Sequence, residues 1–238
     1  MFIADDFFYF YVMKKYAIIV AGGSGKRMES ATPKQFIEIC GLPIILHTLK
    51  TFATAVPDIE FVVVVNSKWR FLWKSVYDKH PVGNTMITID GGPTRFHSVK
   101  NGLTKITNTD SVVAIHDAVR PLVNMDVIKT CFREAELFGN AIPVVPIQDS
   151  VRKRTGAFNE PIDRKNLLIV QTPQCFQTAL IKKAYIQNFD EKFTDDAIVY
   201  ENDGGQIRLV KGNHENIKIT TPSDLLIAEA ILKKRMQQ

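Results

Sequence analysis

The chain has 238 residues, of which 45% are hydrophobic and 23% are charged, and its formal net charge is +5. This composition is ordinary for a globular protein and favours one domain, residues 1–238, over two. The cations form no block, which argues against a nucleic-acid tail, and no segment approaches the roughly 20 apolar residues of a membrane helix.

The N-terminus and the cysteines bear on where the protein resides. Residues 1–12, MFIADDFFYFYV, are aromatic-rich but contain two aspartates and lack a basic start and a cleavage site, so they make a poor signal peptide. We interpret residues 1–13 as an extra N-terminal segment, with Met13 as an alternative start. Cys40, Cys131 and Cys175 lack metal or redox spacing, which indicates reduced thiols and a cytoplasmic protein.

Apolar runs rich in β-branched residues alternate along the chain with stretches of helical periodicity. The runs predict strands at 16–22, 60–66, 86–92, 111–117, 140–147 and 206–212. The periodic stretches predict helices at 43–54, 68–79, 95–106, 125–138 and 222–234. This alternation predicts an α/β fold: a Rossmann-like, mainly parallel twisted sheet with helices on both faces.

Residues 148–165, QDSVRKRTGAFNEPIDRK, interrupt this alternation. They are polar, and a Thr-Gly turn near the middle predicts a two-stranded β-hairpin arm. A lone hairpin is only marginally stable in water, so we expect it to pack on something, and a partner subunit is the natural choice.

The stretch IVAGGSGKRMESATPKQF, residues 19–36, places three glycines directly after the first predicted strand. It fits neither common glycine loop, because Met28 stands where a dinucleotide fingerprint needs its third glycine and Arg27 where a P-loop needs Ser or Thr. Backbone N–H groups after a strand still favour an anion. The nearby cations are Lys26, Arg27 and Lys34.

Six motifs occur in a fixed order: AGGSGKRM…PKQF, DGGPTRFHSVKNGL, HDAVRP, VQTPQCF, FTDDA and ENIKITTPSDL. Together they resemble the cytidylyltransferases that act on 2-C-methyl-D-erythritol 4-phosphate in the non-mevalonate isoprenoid pathway. The resemblance implies transfer of CMP from CTP, release of pyrophosphate, and a homodimer in which an arm reaches the other subunit's site. Pro93 departs from the family, many of whose members have an acidic residue there.

The resemblance also implies roles for individual residues. The CTP triphosphate would lie on the loop residues Ala21, Gly22, Gly23, Gly25 and Lys26. Catalysis would depend on Arg27 and Lys34. The cytosine would lie along Gly91, Gly92 and Ser98. The ribose and methylerythritol would lie near Asp117, Ala118 and Arg120. The second substrate would be lined by Ser150, Arg164, Thr172, Thr194 and Lys218, with Ser150 and Arg164 supplied by the partner subunit.

The chemistry agrees with a cationic site. A phosphate monoester has a second pKa near 6, so at pH 7 it is already an ionised nucleophile and needs no general base. Cations, Mg²⁺ and positioning would do the remaining work. The five histidines show no zinc spacing, so we expect no metal cage built by the protein and Mg²⁺ held mainly by the CTP phosphates.

Four polar residues have both a structural and a functional interpretation. We interpret His116 as a packing or hydrogen-bonding residue, and Asp117 as a ligand of Mg²⁺ through water or of a sugar hydroxyl rather than a simple turn former. Lys218, within the apolar run NIKIT, is expected to face a phosphate or carboxylate. Thr194 is a candidate cap for a helix opened by FTDDA, whose two aspartates would favour the helix dipole rather than bind a metal.

Alternatives remain open on the sequence alone. The nearest is a cytidylyltransferase for another polyol phosphate, such as ribitol 5-phosphate, because the glycine loop and HDAVRP would be shared. A non-catalytic nucleotide-binding sensor belongs to a different class. RNA binding lacks the interleaving of aromatic and basic residues that it requires.

Overall fold

Alternating burial along the first strand sets the layers of this fold. The structure is a computed structural model that describes residues 13–23 and 32–237. In Lys14–Ala21, Ala17 and Ile19 pack into one core cluster while Ile18 packs into another on the opposite face. Side chains of a strand point alternately to its two faces, so a strand that is apolar throughout must be covered on both.

The described residues contain twelve strands. In chain order they are β1 (Lys14–Ala21), β2 (Glu38–Ile39), β3 (Leu42–Pro43), β4 (Glu60–Val65), β5 (Met86–Asp90), β6 (Ser111–Asp117), β7 (Asn140–Pro146), β8 (Val151–Thr155), β9 (Phe158–Ile162), β10 (Leu168–Val170), β11 (Gln174–Gln177) and β12 (Leu209–Lys211). Eight form the central sheet in the order β10-β7-β11-β6-β1-β4-β5, with β12 paired to β7.

All six predicted strands are present in this sheet, and the predicted α/β class is confirmed. The sequence analysis missed β10 and β11, which contain three and four residues and carry too little periodicity to be recognised. β11 pairs antiparallel with both β6 and β7, whereas β4, β1 and β6 run parallel. The sheet is therefore mixed but mainly parallel.

Seven α-helices are described: α1 (Ile44–Ala55), α2 (Arg70–Lys79), α3 (Arg95–Thr104), α4 (Met125–Phe138), α5 (Thr178–Ala184), α6 (Asp196–Asn202) and α7 (Pro222–Met236). The five predicted helices lie within two residues of their predicted bounds, and α5 was missed. α2 begins two residues late because Ser67–Trp69 forms a 3-10 turn capped by Asn66. A capping box between Thr221 and Asp224 starts α7.

Helices cover both faces of the sheet. Phe52 of α1, Trp73 of α2 and Phe132 of α4 pack on one face, and Phe96 of α3 packs on the other with residues of α5 and α6. Each large side chain buried in this way stabilises the fold by about 1.5–3 kcal/mol. α7 closes a third cluster at the end of the sheet, around Ile219. No helix in the described ranges is long and apolar enough to span a membrane.

The strand order places a crevice beside β1. The chain runs from β1 to β4 and β5 on one side, and then returns to place β6 on the other side of β1. In open parallel sheets, ligands bind at the carboxyl ends of the strands where the order reverses in this way. The β8–β9 hairpin confirms the predicted arm, pairs with no other strand in the described part, and turns at Gly156.

Candidate active site

A cleft of about 520 Å³ lies at the carboxyl ends of β1, β4, β5 and β6. Of the predicted site residues, eight line it: Ala21, Gly22, Gly23, Lys34, Gly92, Ser98, Asp117 and Lys218. Five polar residues that were not predicted as site residues also line it: Gln35, Asn66, Thr94, Arg95 and Thr220. The topology thus brings residues from distant parts of the sequence to a single edge of the sheet.

Gln35 holds the first residues of the glycine loop through hydrogen bonds to their backbone carbonyls. Its Nε2 donates to the carbonyl of Ala21 at 2.7 Å and to that of Gly23 at 3.4 Å, and the side chain is buried. Because the side chain of Gln35 binds both carbonyls, it fixes the direction in which the chain leaves β1. The predicted residues Gly25, Lys26 and Arg27 lie outside the described residues.

Lys34 enters the cleft from a short 3-10 turn. Pro33, with φ of −57°, precedes the turn Lys34–Phe36, and the Phe36 ring stacks at 6.5 Å on Trp73. The Lys34 ammonium donates to the carbonyl of Ile219 at 2.9 Å. A packed aromatic ring two residues away thus anchors this cation at the mouth of the cleft.

The wall after β5 is shaped by Ser98. Its hydroxyl accepts from the N–H of Gly92 at 3.0 Å and donates to the carbonyl of Thr94 at 3.0 Å. A Cβ on Gly92 would lie 2.4 Å from the Cβ of His97, so the close approach of the chain to α3 requires glycine here. Pro93 lines the cleft at the same place. Gly91 lies just behind the wall, and its N–H donates to the carbonyl of Val65.

Asp117 is the centre of a cluster of charges. The carboxylate is buried, with Oδ1 at 3.4 Å from Arg95 Nε, and Oδ2 at 3.4 Å from Arg120 Nε and 2.9 Å from Lys218 Nζ. Burial alone would raise its pKa, but Arg95, Lys218 and Arg120 outweigh burial and hold the pKa of Asp117 well below its usual range. The carboxylate is therefore ionised and committed to these cations, and Lys218 faces a carboxylate as predicted.

Behind Asp117 lies a buried pair, Thr172 and His116. The Thr172 hydroxyl accepts from the Asp117 N–H at 3.3 Å and lies 3.0 Å from His116 Nδ1. Burial lowers the pKa of His116 to about 3, so the ring is neutral. Its Nε2 lies 3.2 Å from the Arg120 carbonyl, which can only accept, so Nε2 carries the proton and Thr172 donates to Nδ1. These contacts agree with a hydrogen-bonding role for His116.

Several predicted residues lie outside the cleft of their own chain. Ala118 is buried beneath it, and Arg120 points toward the carbonyl of Asn216 at 2.8 Å. Ser150, Arg164 and Thr194 are exposed and absent from its lining. The Arg164 guanidinium instead binds the carbonyl of Gln148, within the arm.

The interpretation of FTDDA requires two corrections. Thr194 does not cap α6, because the extended backbone at Asp195 turns that residue's carboxylate onto the Ile198 N–H at 3.0 Å. Asp196 is more than a dipole-favouring acid, since it is fully buried and binds Arg95 through both oxygens, at 2.9 and 2.7 Å. The sequence offered one signal for this pair, which is a cation at the start of α3.

The cleft offers few side chains of the kinds that bind a metal ion. Within 13–23 and 32–237, no group of three or more His, Cys, Asp or Glu side chains could hold a metal ion. Asp117 is the carboxylate that lines the cleft, and its oxygens already face three cations. The described side chains therefore provide charge and shape, and they do not form a metal cage of their own.

Two glycines directly after β1, converging cations and a cleft at the strand ends of a doubly covered sheet define an anion-binding α/β protein of the nucleotide-binding type. The model of the family described as IspD, 2-C-methyl-D-erythritol 4-phosphate cytidylyltransferase, matches residues 15–234. The chain therefore belongs to this family of nucleotidyltransferases, and the resemblance seen in the motifs is confirmed.

Individual relatives agree with this assignment. The chain is 44% identical over 220 residues to the 2-C-methyl-D-erythritol 4-phosphate cytidylyltransferase of Bacteroides thetaiotaomicron, covering 92% of this chain and 100% of that protein. It is similar to the 4-diphosphocytidyl-2C-methyl-D-erythritol synthase of Anaerococcus prevotii, with a TM-score of 0.79, 26% identity, and 93% and 96% of the two chains covered. The Francisella tularensis 2-C-methyl-D-erythritol 4-phosphate cytidylyltransferase gives a TM-score of 0.77 at 30% identity, covering 91% of this chain and 99% of that one.

Proposed function

We propose that this protein transfers CMP from CTP to 2-C-methyl-D-erythritol 4-phosphate, giving 4-diphosphocytidyl-2-C-methyl-D-erythritol and pyrophosphate for isoprenoid precursor synthesis. The observation that carries the proposal is the cationic cleft in a chain of this family, where Lys34 and Lys218 flank the start of the glycine loop. We further propose that residues 1–238 act as a single nucleotidyltransferase domain in the cytoplasm, in which 1–13 are an extra N-terminal segment and 148–165 a dimerisation arm.

The reaction needs charge stabilisation and no base. An oxygen of the ionised monoester attacks the α-phosphorus of CTP, a new P–O bond forms, and the bond to the β-phosphate oxygen breaks to release pyrophosphate. His116 is neutral and buried, which supports leaving it out of the proton balance. Lys34, together with Arg27, is proposed to stabilise the negative charge that builds up during this transfer.

The two ends of the cleft suit the two substrates. The cytosine is proposed to lie along Gly91 and Gly92. Ser98 would act by holding the backbone of Gly92 in shape, since its hydroxyl is already engaged by Gly92 and Thr94. Asp117, Ala118 and Arg120 are proposed to lie near the ribose and methylerythritol groups, with Thr172 and Lys218 toward the second substrate.

Mg²⁺ is proposed to enter as part of the Mg·CTP substrate. Triphosphate oxygens are the hard ligands that this ion prefers, and it commonly binds through substrate phosphates with few protein carboxylates. Among the described residues that line the cleft, Asp117 is the one carboxylate, and it is already engaged by three cations, which fits this arrangement.

We propose a homodimer with exchanged arms. The β8–β9 hairpin is exposed along nearly its whole length, with Phe158 82% accessible near its turn. Three successive apolar residues of β10, Leu168, Ile169 and Val170, are each more than 40% exposed beside it. Such a surface suits a second copy of the chain, which would place the arm residues Ser150 and Arg164 against a bound substrate. Thr194 is proposed to line the second substrate.

Subunit mixing tests the exchange. Lys34→Met and Arg164→Ala homodimers should each be nearly inactive, but their mixture should regain about a quarter of wild-type turnover if the mutated residues fall in the same site of the heterodimer, leaving its other site intact. A mixture that stays inactive, or a monomeric mass by light scattering, contradicts the proposed exchange.

Pyrophosphate release by the purified protein tests the function. CTP, UTP and ATP are compared with 2-C-methyl-D-erythritol 4-phosphate and with ribitol 5-phosphate as acceptors, in the presence of Mg²⁺. Fast release with CTP and methylerythritol phosphate supports the proposal. Preference for ribitol phosphate keeps the mechanism but changes the substrate. If no pair of substrates gives pyrophosphate release, a nucleotide-binding sensor is favoured.

A further inference from the structure

Arg95 occupies a position that is electrostatically unfavourable for a cation. It is the first residue of α3, and the N-terminal end of a helix carries partial positive charge. The side chain is held there by two carboxylates from other elements, Asp196 of α6 and Asp117 of β6. Arg95 therefore opposes the helix dipole and is paired with two carboxylates. This arrangement indicates that the residue does more than begin α3.

The pairing fixes the plane of the guanidinium. Nη1 and Nη2 of Arg95 donate to Oδ1 and Oδ2 of Asp196 at 2.9 and 2.7 Å, a two-pronged geometry. Because the guanidinium is rigid and planar, holding both terminal nitrogens sets the direction of the third nitrogen. That nitrogen, Nε, lies 3.4 Å from Asp117 Oδ1.

Asp196 is itself anchored away from the cleft. It is fully buried and does not line the cavity. Its N–H and that of Ala197 donate to Gln174 Oε1, at 3.0 and 2.8 Å, and the Tyr185 hydroxyl donates to its Oδ1 at 2.6 Å. The Tyr185 ring stacks at 4.7 Å on Phe96, the residue after Arg95. The network thus joins α6, β11 and α3 behind the cleft.

We propose that Asp196 and Arg95 are positioning residues that hold the Asp117 carboxylate in one orientation within the active site. Arg95 takes Oδ1, while Arg120 and Lys218 take Oδ2. We call the Asp196–Arg95 pair the clamp. Without the clamp, Oδ1 of Asp117 loses its cation and the carboxylate is free to rotate, which displaces Lys218 and Arg120 from the substrate. The inference rests on the proposed function, because it deepens the role of the Asp117 cluster.

Kinetics of three variants test the clamp. Asp196→Asn and Arg95→Lys each break the two-pronged pairing with little change in volume, and kcat/KM for pyrophosphate release should fall by about 100-fold, as misplacement of reacting groups by about 1 Å does. Thr178→Val is the matched control, because it removes a buried hydrogen bond at the opposite end of β6, from Ser111 at 2.7 Å.

A second measurement is independent of turnover. Carboxyl NMR titration should show a higher pKa for Asp117 in Asp196→Asn and Arg95→Lys than in the wild type, and no change in Thr178→Val. If wild-type protein releases no pyrophosphate, the proposed function fails, but the titration still judges the clamp. An unchanged Asp117 titration in a folded Arg95→Lys protein overturns the inference, as does Asp196→Asn kinetics equal to those of Thr178→Val.

Discussion

Gln35 donates a hydrogen bond from Nε2 to the carbonyl of Ala21 at 2.7 Å, across 14 residues of chain. The glycine loop therefore leaves β1 and returns to within one hydrogen bond of its starting point. Closure of a polar, glycine-containing loop costs conformational entropy, and a buried amide that ties its two ends together offsets part of that cost. The bond gives Gln35 of the PKQF stretch a direct structural link to the strand that leads into the glycines.

Replacing Gln35 should weaken nucleotide binding. Gln35→Ala leaves the Ala21 and Gly23 carbonyls without their donor, which costs about 1–3 kcal/mol. We expect KM for CTP to rise by about tenfold, measured by steady-state pyrophosphate release. Gln177→Ala, which removes a similar bond to the Glu136 carbonyl, is the control. Equal effects of the two substitutions on KM would count against a role for Gln35 in shaping the loop.

Loss of the Lys34 charge should nearly abolish turnover. Lys34→Met keeps the length and the apolar stem but removes the ammonium, and loss of one electrostatic donor typically costs on the order of 10²–10³ in kcat. Single-turnover rates with saturating CTP measure the effect, and thermal unfolding checks the fold. Lys233→Met, at an exposed helical ion pair, should keep wild-type activity. Near-normal turnover of Lys34→Met would remove this residue from the mechanism.

Gly92 should not tolerate a methyl group. In Gly92→Ala the new Cβ would meet His97 at 2.4 Å, so either α3 or the cleft wall must move. We expect a loss of about 1–3 kcal/mol in unfolding free energy and weaker CTP binding, measured by denaturation and calorimetry. Gly83→Ala is the control, because a Cβ there has nothing within 4 Å. A Gly92→Ala protein as stable as Gly83→Ala would show that the wall is pliable.

His116 should make stability depend on pH. Its pKa is about 3 in the folded protein because of burial, against about 6.5 when unfolded. Between these values the unfolded chain binds more protons, so unfolding free energy rises with pH across this window and levels off above about pH 7.

Urea denaturation at several pH values measures this dependence. His116 should contribute a slope of up to about 1.4 kcal/mol per pH unit, and His116→Gln should lose that contribution. Asp117 adds a dependence of the same sign, because its cations depress its folded pKa, but only below its unfolded value of 3.8, so Asp117→Asn should leave the slope above about pH 4 in place. A wild-type slope identical to that of His116→Gln would mean that His116 titrates normally.

Periodicity was sufficient for the long elements. β4 consists of the apolar run EFVVVV, and a strand apolar throughout can be stable only between two covering layers, which is why the α/β class could be predicted. β10 and β11 were not predicted because strands of three or four residues are too short to show a hydrophobic period. Their place in the sheet depends on pairing with β6 and β7. The sequence predicted Thr194 as the cap of α6, but Asp195 forms it. The two are neighbours and both can cap a helix, and the backbone conformation that selects Asp195 cannot be read from residue type.

By itself the sequence determined the layers, the hairpin and the family, because these depend on local spacing and on short motifs that can be recognised along the chain. Only the tertiary structure decided the partners of each charge. Asp117 meets Arg95, Arg120 and Lys218, and Arg95 meets Asp196, across separations of up to 101 residues. Electrostatic interactions depend on distance and burial in space, and neither is written in the order of residues along a chain.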